Sequence, residues 1–286
     1  MTVNKNRGWL HVLAIIFPYL FIVAGFEFLG RYLTHVGFME PIENQTSTQI
    51  LTVRIFNLLG SFTVLWLFMR FVDKLPFMKL GFYLKNRGKD IVAGIGLGFL
   101  IMAMGYCILA FAKEIRFAGM YFDLKELLIA IGVFIVVACV EEALLRGYVL
   151  RNLMISFNKY IALLVSSLLF SLMHAFNPNV DGFALCIIFL AGIFLGISYI
   201  HTKNLWFPIG LHFGWNFFQS LFGFNVSGVD FYSLVEFSLP AKDIWNGGAF
   251  GFEGSVLAVV FQVLAIITIA FYMKGKNKSQ TPKKQR

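Results

Sequence analysis

Eight stretches of this 286-residue chain, near 9–30, 49–71, 90–112, 126–150, 160–177, 182–201, 204–224 and 254–273, are apolar over about the length of a membrane span. A helix rises ~1.5 Å per residue and the hydrocarbon core of a bilayer is ~30 Å thick, so about 20 apolar residues cross it. In lipid, helices keep their backbone hydrogen bonds inside the segment, which is what such stretches can do. Hydrophobic residues make up 58% of the chain, charged residues 14%, and the mean hydropathy is +0.76, values that exclude a soluble globular domain of this size. The expected fold class is all-α: a polytopic membrane helix bundle with about eight transmembrane helices.

Lys5 and Arg7 precede the first stretch, as in a signal peptide, but Gly8 to Phe26 carries no charge and Phe26-Glu27-Phe28 follows where a small-residue cleavage site belongs. A retained span is expected. The net charge of +9 is explained by topology rather than by nucleic acid. With a cytoplasmic amino terminus, the inside segments hold seventeen Lys and Arg and the outside segments only Arg31, Lys113, Arg116, Lys125 and Lys242. Cytoplasmic loops carry such an excess, so both termini are expected in the cytoplasm.

A single transmembrane domain is expected over 1–273, followed by a basic, disordered cytoplasmic tail at 274–286 that stays near anionic headgroups. The longest loop, Phe224 to Gly254, reads as a segment resting on the membrane interface, with Phe231, Tyr232, Trp245 and Phe250 as its aromatic contacts. Gly94 with Gly98, Gly192 with Gly196 and Gly210 with Gly214 mark close helix packing. His212 lies between the last pair. Cys107, Cys139 and Cys186 lie in separate spans and read as packing residues.

Ionisable residues inside spans cost at least ~2.5–3.5 kcal/mol on insertion scales, so each needs a partner, water or a function. The fourth span carries Glu141-Glu142-Ala143-Leu144-Leu145-Arg146. Glu142 and Arg146 are four residues apart on one helix face with the acid first, the favourable order for a pair. Glu141 is rotated roughly 100° away and is left free to act as a proton acceptor. The fifth span ends Phe170-Ser171-Leu172-Met173-His174, and the seventh carries His212-Phe213-Gly214-Trp215-Asn216, with an imidazole and a carboxamide on one stripe. His11, His35 and His201 fall at span ends or in loops. Glu27, at the outer end of the first span, reads as an interfacial side chain or as cavity lining.

These residues resemble the CAAX protease and bacteriocin-processing (CPBP, or Abi) intramembrane peptidases. E-E-x-x-x-R at Glu141 to Arg146, F-x-x-x-H at Phe170 to His174 and H-x-x-x-N at His212 to Asn216 match that family's motifs in order, within 141–216. The resemblance implies an intramembrane endopeptidase in which Glu141 and His174 activate water, His212 and Asn216 stabilise the oxyanion, and Glu142 and Arg146 support the site. It equally allows Zn²⁺ held by Glu141, His174 and His212, with a fourth position for water, although no H-E-x-x-H helix is present. The implied partners are the bilayer and a peptide or membrane-anchored protein tail: a prenylated terminus, a bacteriocin leader or a pheromone. A bacterial plasma membrane is the expected location, and the oligomeric state is left open. A proton-coupled transporter using the same Glu and His residues and a noncatalytic scaffold or immunity protein are the rival readings. Straight-helix counting sets one difficulty, because it puts Glu141 and His212 roughly 12–14 Å from the cytoplasmic ends but His174 about 20 Å.

Overall fold

The computed structural model describes residues 7–279; Lys5 and residues 280–286 of the expected basic tail lie outside the described residues. Each apolar stretch forms a helix: α1 (Gly8–Leu33), α2 (Ser47–Leu67), α3 (Gly88–Phe111), α4 (Leu124–Glu142), α6 (Lys159–Met173), α7 (Gly182–Gly196), α9 (Trp206–Leu221) and α10 (Val256–Ser279). α5 (Arg151–Ser156) continues α4 through a π-helical segment, Ala143–Leu150, and α8 (Tyr199–Thr202) follows α7 closely. Among the described residues, six helical stretches are long and apolar enough to cross a membrane: Gly8–Leu33, Ser47–Val72, Gly88–Phe111, Leu124–Ser156, Gly182–Thr202 and Val256–Lys274. α6 and α9 have 15 and 16 residues. At ~1.5 Å per residue they are shorter than the hydrocarbon core is thick.

Polar residues at the helix starts supply acceptors for backbone N–H groups that have no partner within the helix. Thr46 and Gln49 form a reciprocal capping box on α2. Asp123 caps α4, Asn158 caps α6 and Asp181 caps α7. Burial orders the bundle: α7 is buried over 61% of its most apolar stretch and α1 over only 17%, so α7 is central and α1 presents its apolar surface outward.

The glycine pairs act as the sequence suggests. α3 and α9 cross with backbones touching, since a Cβ on Gly94 would stand 2.6 Å from the Leu211 nitrogen, and one on Gly98 2.5 Å from Trp215. Gly210 and Gly214 face the Ile91 and Ile95 carbonyls in return, and Gly192 and Gly196 lie against Ser167 and Leu163. The cysteines are free; Cys107 and Cys186 are exposed on the bundle's outer surface rather than packed inside.

Two faces can be told apart. On one, the Trp9 backbone N–H donates to Ser156, His11 pairs with Asp73, the Leu205 N–H donates to the Gly81 carbonyl and the Tyr199 hydroxyl to that of Leu80. This is the face where α1 begins and α10 runs out. On the other, β1 (Arg116–Met120) pairs antiparallel with β2 (Val235–Ser238), Tyr232 accepts from the Asp123 N–H, and Asn179 donates to the Gly228 carbonyl. The long loop differs from the expected interfacial segment. Phe250 and Phe252 are buried in the core, Phe252 against Trp215 and Phe224, while Trp245 is exposed. A loop tied into the sheet and plugged by two rings is part of the bundle.

Candidate active site

The tight turn between the fourth and fifth spans sets the register of the site. The rod that carries Glu141 does not stop near residue 150 but continues to Ser156, and α6 starts at Lys159. Glu141 therefore lies fifteen residues before this turn and His174 fifteen residues after it, which brings them level in an antiparallel pair. The depth conflict seen in the sequence came from ending that helix six residues early. α9 starts higher: Leu205 packs against Gly147, so His212 also reaches the level of Glu141.

The three groups converge. Nε2 of His174 and Nε2 of His212 each stand 3.9 Å from the same Oε2 of Glu141. The other ring nitrogens are engaged, Nδ1 of His174 with the Phe170 carbonyl at 2.8 Å and Nδ1 of His212 with Glu142 Oε1 at 2.9 Å. Those acceptors assign an N–H to Nδ1 of each ring, and both Nε2 atoms are directed at Glu141. The π-helical segment begins directly after the two acids, a feature often found where a helix carries a functional group.

Behind this layer the second acid is fully enclosed. Glu142 Oε1 also accepts from Arg146 at 2.9 Å, and both side chains are essentially without exposure. Arg146 donates further to the Gly192 carbonyl and lies 4.5 Å from the centre of the Phe170 ring. Arginine, acid and aromatic ring thus fix the two residues that orient the imidazoles. Asn216 is buried one turn beyond His212 on α9.

A cavity of about 420 Å³ joins these residues, lined by Glu141, His174, His212 and Asn216, a volume in the range of ligand-binding clefts. Further polar and charged residues line it, Arg31, Arg54, Glu27, Glu253 and Gln262 among them. Glu27 resolves to the cavity-lining alternative and accepts a hydrogen bond from Asn57. Glu253 accepts from the Ser227 N–H, and burial pushes its carboxyl up despite that hydrogen bond and the nearby imidazoles of His174 and His212. Gln262 is buried on α10 with neither amide atom partnered. Gln262 had a sequence signal, a lone amide within an apolar span. Glu253 had none, because its position depends on how the loop folds back.

Glu141, His174 and His212 are chemically a His₂Glu zinc set, but among the described residues no group of three His, Cys, Asp or Glu side chains is arranged to hold a metal ion. As placed they do not fit one.

Residues 123–218 match the family model for the Rce1-like type II CAAX prenyl endopeptidases. The match agrees with the resemblance drawn from the three motifs. The Rce1-like segment contains Glu141, His174, His212 and Asn216, whereas Glu27, Glu253 and Gln262 lie outside it. It supports an intramembrane protease, and with the apolar helices it makes the chain a multi-pass membrane protein. Comparison with curated proteins and with solved structures finds no match.

Proposed function

We propose that this chain is an intramembrane endopeptidase that hydrolyses a peptide bond in a membrane-associated peptide or protein tail. The observation that carries the reading is the meeting of two imidazole Nε2 atoms at one carboxylate oxygen inside a cavity. At 3.9 Å these atoms do not bond directly, which leaves room for a water molecule to be held between Glu141 and His174. Glu141 takes a proton from that water as its oxygen adds to the scissile carbonyl carbon. The carbonyl oxygen becomes an oxyanion within reach of donors on α9: the Asn216 amide, and His212 when its Nε2 carries a proton while Glu142 holds Nδ1–H. As the C–N bond breaks, the proton held by Glu141 passes to the leaving nitrogen. Glu142 and Arg146 keep His212 and the helix in place, and the bilayer and the peptide are the partners.

The test is incubation of the purified protein in liposomes with membrane-anchored peptides, reading cut sites by mass spectrometry beside Glu141→Gln. Defined cuts made by the wild type and absent with the variant are expected. Equal cutting by a folded Glu141→Gln protein would end this reading.

A further inference from the structure

The cavity opens toward one face of the molecule. Its lining includes Gln45, Asn177, Ser227 and Glu253, all from the loops on the face that carries the two-stranded sheet. Toward the opposite face the site is shut: Leu80, Leu145, Tyr148, Leu150, Tyr199 and Leu205 fill the bundle below Glu141 and are at most 1% exposed. A substrate reaches Glu141 from the sheet-bearing side.

The two faces differ in charge. From Arg7 to Lys274, the segments on the closed face carry eleven Lys and Arg against the two acids Asp73 and Asp90. The segments on the open face, 31–46, 112–126, 174–181 and 222–255, carry five Lys and Arg against ten acids. All these loops are short enough for basic residues to govern orientation, and basic residues remain in the cytoplasm during insertion. The closed, basic face is therefore the cytoplasmic one.

We propose that the active cavity opens away from the cytoplasm, and that its substrate is a polypeptide segment presented on the non-cytoplasmic side or in the outer leaflet. This rests on the peptidase reading for the word substrate, but the orientation stands by itself. A lipidated tail displayed in the cytoplasm is on the wrong side of the plug formed by Tyr148, Leu205 and their neighbours. An exported peptide, or the outer segment of another membrane protein, meets an open mouth. The cavity lining on this side carries both signs, Glu27 and Glu253 beside Arg31 and Arg54.

The test has two arms, both in intact cells expressing the full chain. In a background with Cys107, Cys139 and Cys186 replaced by serine, Lys242→Cys and Lys85→Cys are each treated with a membrane-impermeant maleimide; both positions are exposed, one on each face. Labelling at 242 in intact cells, with labelling at 85 only after permeabilisation, is expected. The reverse pattern overturns the proposal. The second arm maps the new peptide ends present with the wild type and lost with Glu141→Gln. Ends in non-cytoplasmic segments support the proposal and ends in cytoplasmic segments overturn it. If no Glu141-dependent end appears, the peptidase reading fails while the maleimide arm still decides the orientation.

Discussion

His212 Nδ1 stands 2.9 Å from Glu142 Oε1, and that same oxygen receives Arg146 at 2.9 Å. One enclosed carboxylate thus serves an imidazole of the site and the arginine that spans α4 to α7. The adjacent Glu141 keeps part of its surface open to the cavity, 23% of its side chain. Two neighbouring acids divide between holding the site and facing the substrate.

The division predicts opposite outcomes for the two acids. Glu142→Ala leaves the Arg146 guanidinium buried without its charge partner, a loss that costs about 3–5 kcal/mol when one member of a buried pair is removed. A large fall in thermal stability in detergent, measured by tryptophan fluorescence, is expected. Glu141→Gln should keep the wild-type melting temperature and lose cleavage. If the two variants melt alike, the separation of roles is wrong.

Asn216 provides a second check, because it takes no part in the Glu142 network and faces the cavity. Loss of one preorganised oxyanion donor costs roughly 10²–10³ in kcat. Asn216→Ala should lower kcat by that order with KM little changed. A rise in KM at constant kcat would instead make Asn216 a substrate-binding residue.

Much of this site could be read from the chain. The spacing of Glu142 and Arg146 foretold their pairing, and the resemblance grouped His174, His212 and Asn216 with Glu141. The level of His174 could not be read, because hydropathy fades at Arg151 while the helix runs on to Ser156. Only the π-helical continuation and the tight turn at Asn158 bring the two residues together. The short sheet and Glu253 were invisible for a different reason. β1 and β2 pair across more than a hundred residues, and no local pattern reports such a contact.

Packing of α3 on α9 positions His212, and this too can be tested. A Cβ at Gly98 would meet the Gly214 and Trp215 backbone at 2.5 Å, so Gly98→Ala must push α9 away. Gly96, two residues earlier, has nothing within 4 Å of an added Cβ. Gly98→Ala should reduce both melting temperature and cleavage, whereas Gly96→Ala should keep activity and gain about 0.5–1 kcal/mol in stability from helix propensity. Equal behaviour of the two would remove the case for close helix approach.

Glu253 makes stability depend on pH in a defined direction. Burial raises its carboxyl above the ordinary glutamate value of 4.5, so between that value and the folded-state value the native protein binds more protons than the unfolded chain. Stability is therefore lost as pH rises through this window, and the loss is complete once the folded carboxyl has ionised. Glu253→Gln cannot ionise, and its amide oxygen can still accept from the Ser227 N–H. Melting curves from pH 4.5 to 8.5 should show the variant gaining on the wild type as pH increases. A gap that is constant with pH would mean that the Glu253 carboxyl titrates alike in the folded and unfolded chains.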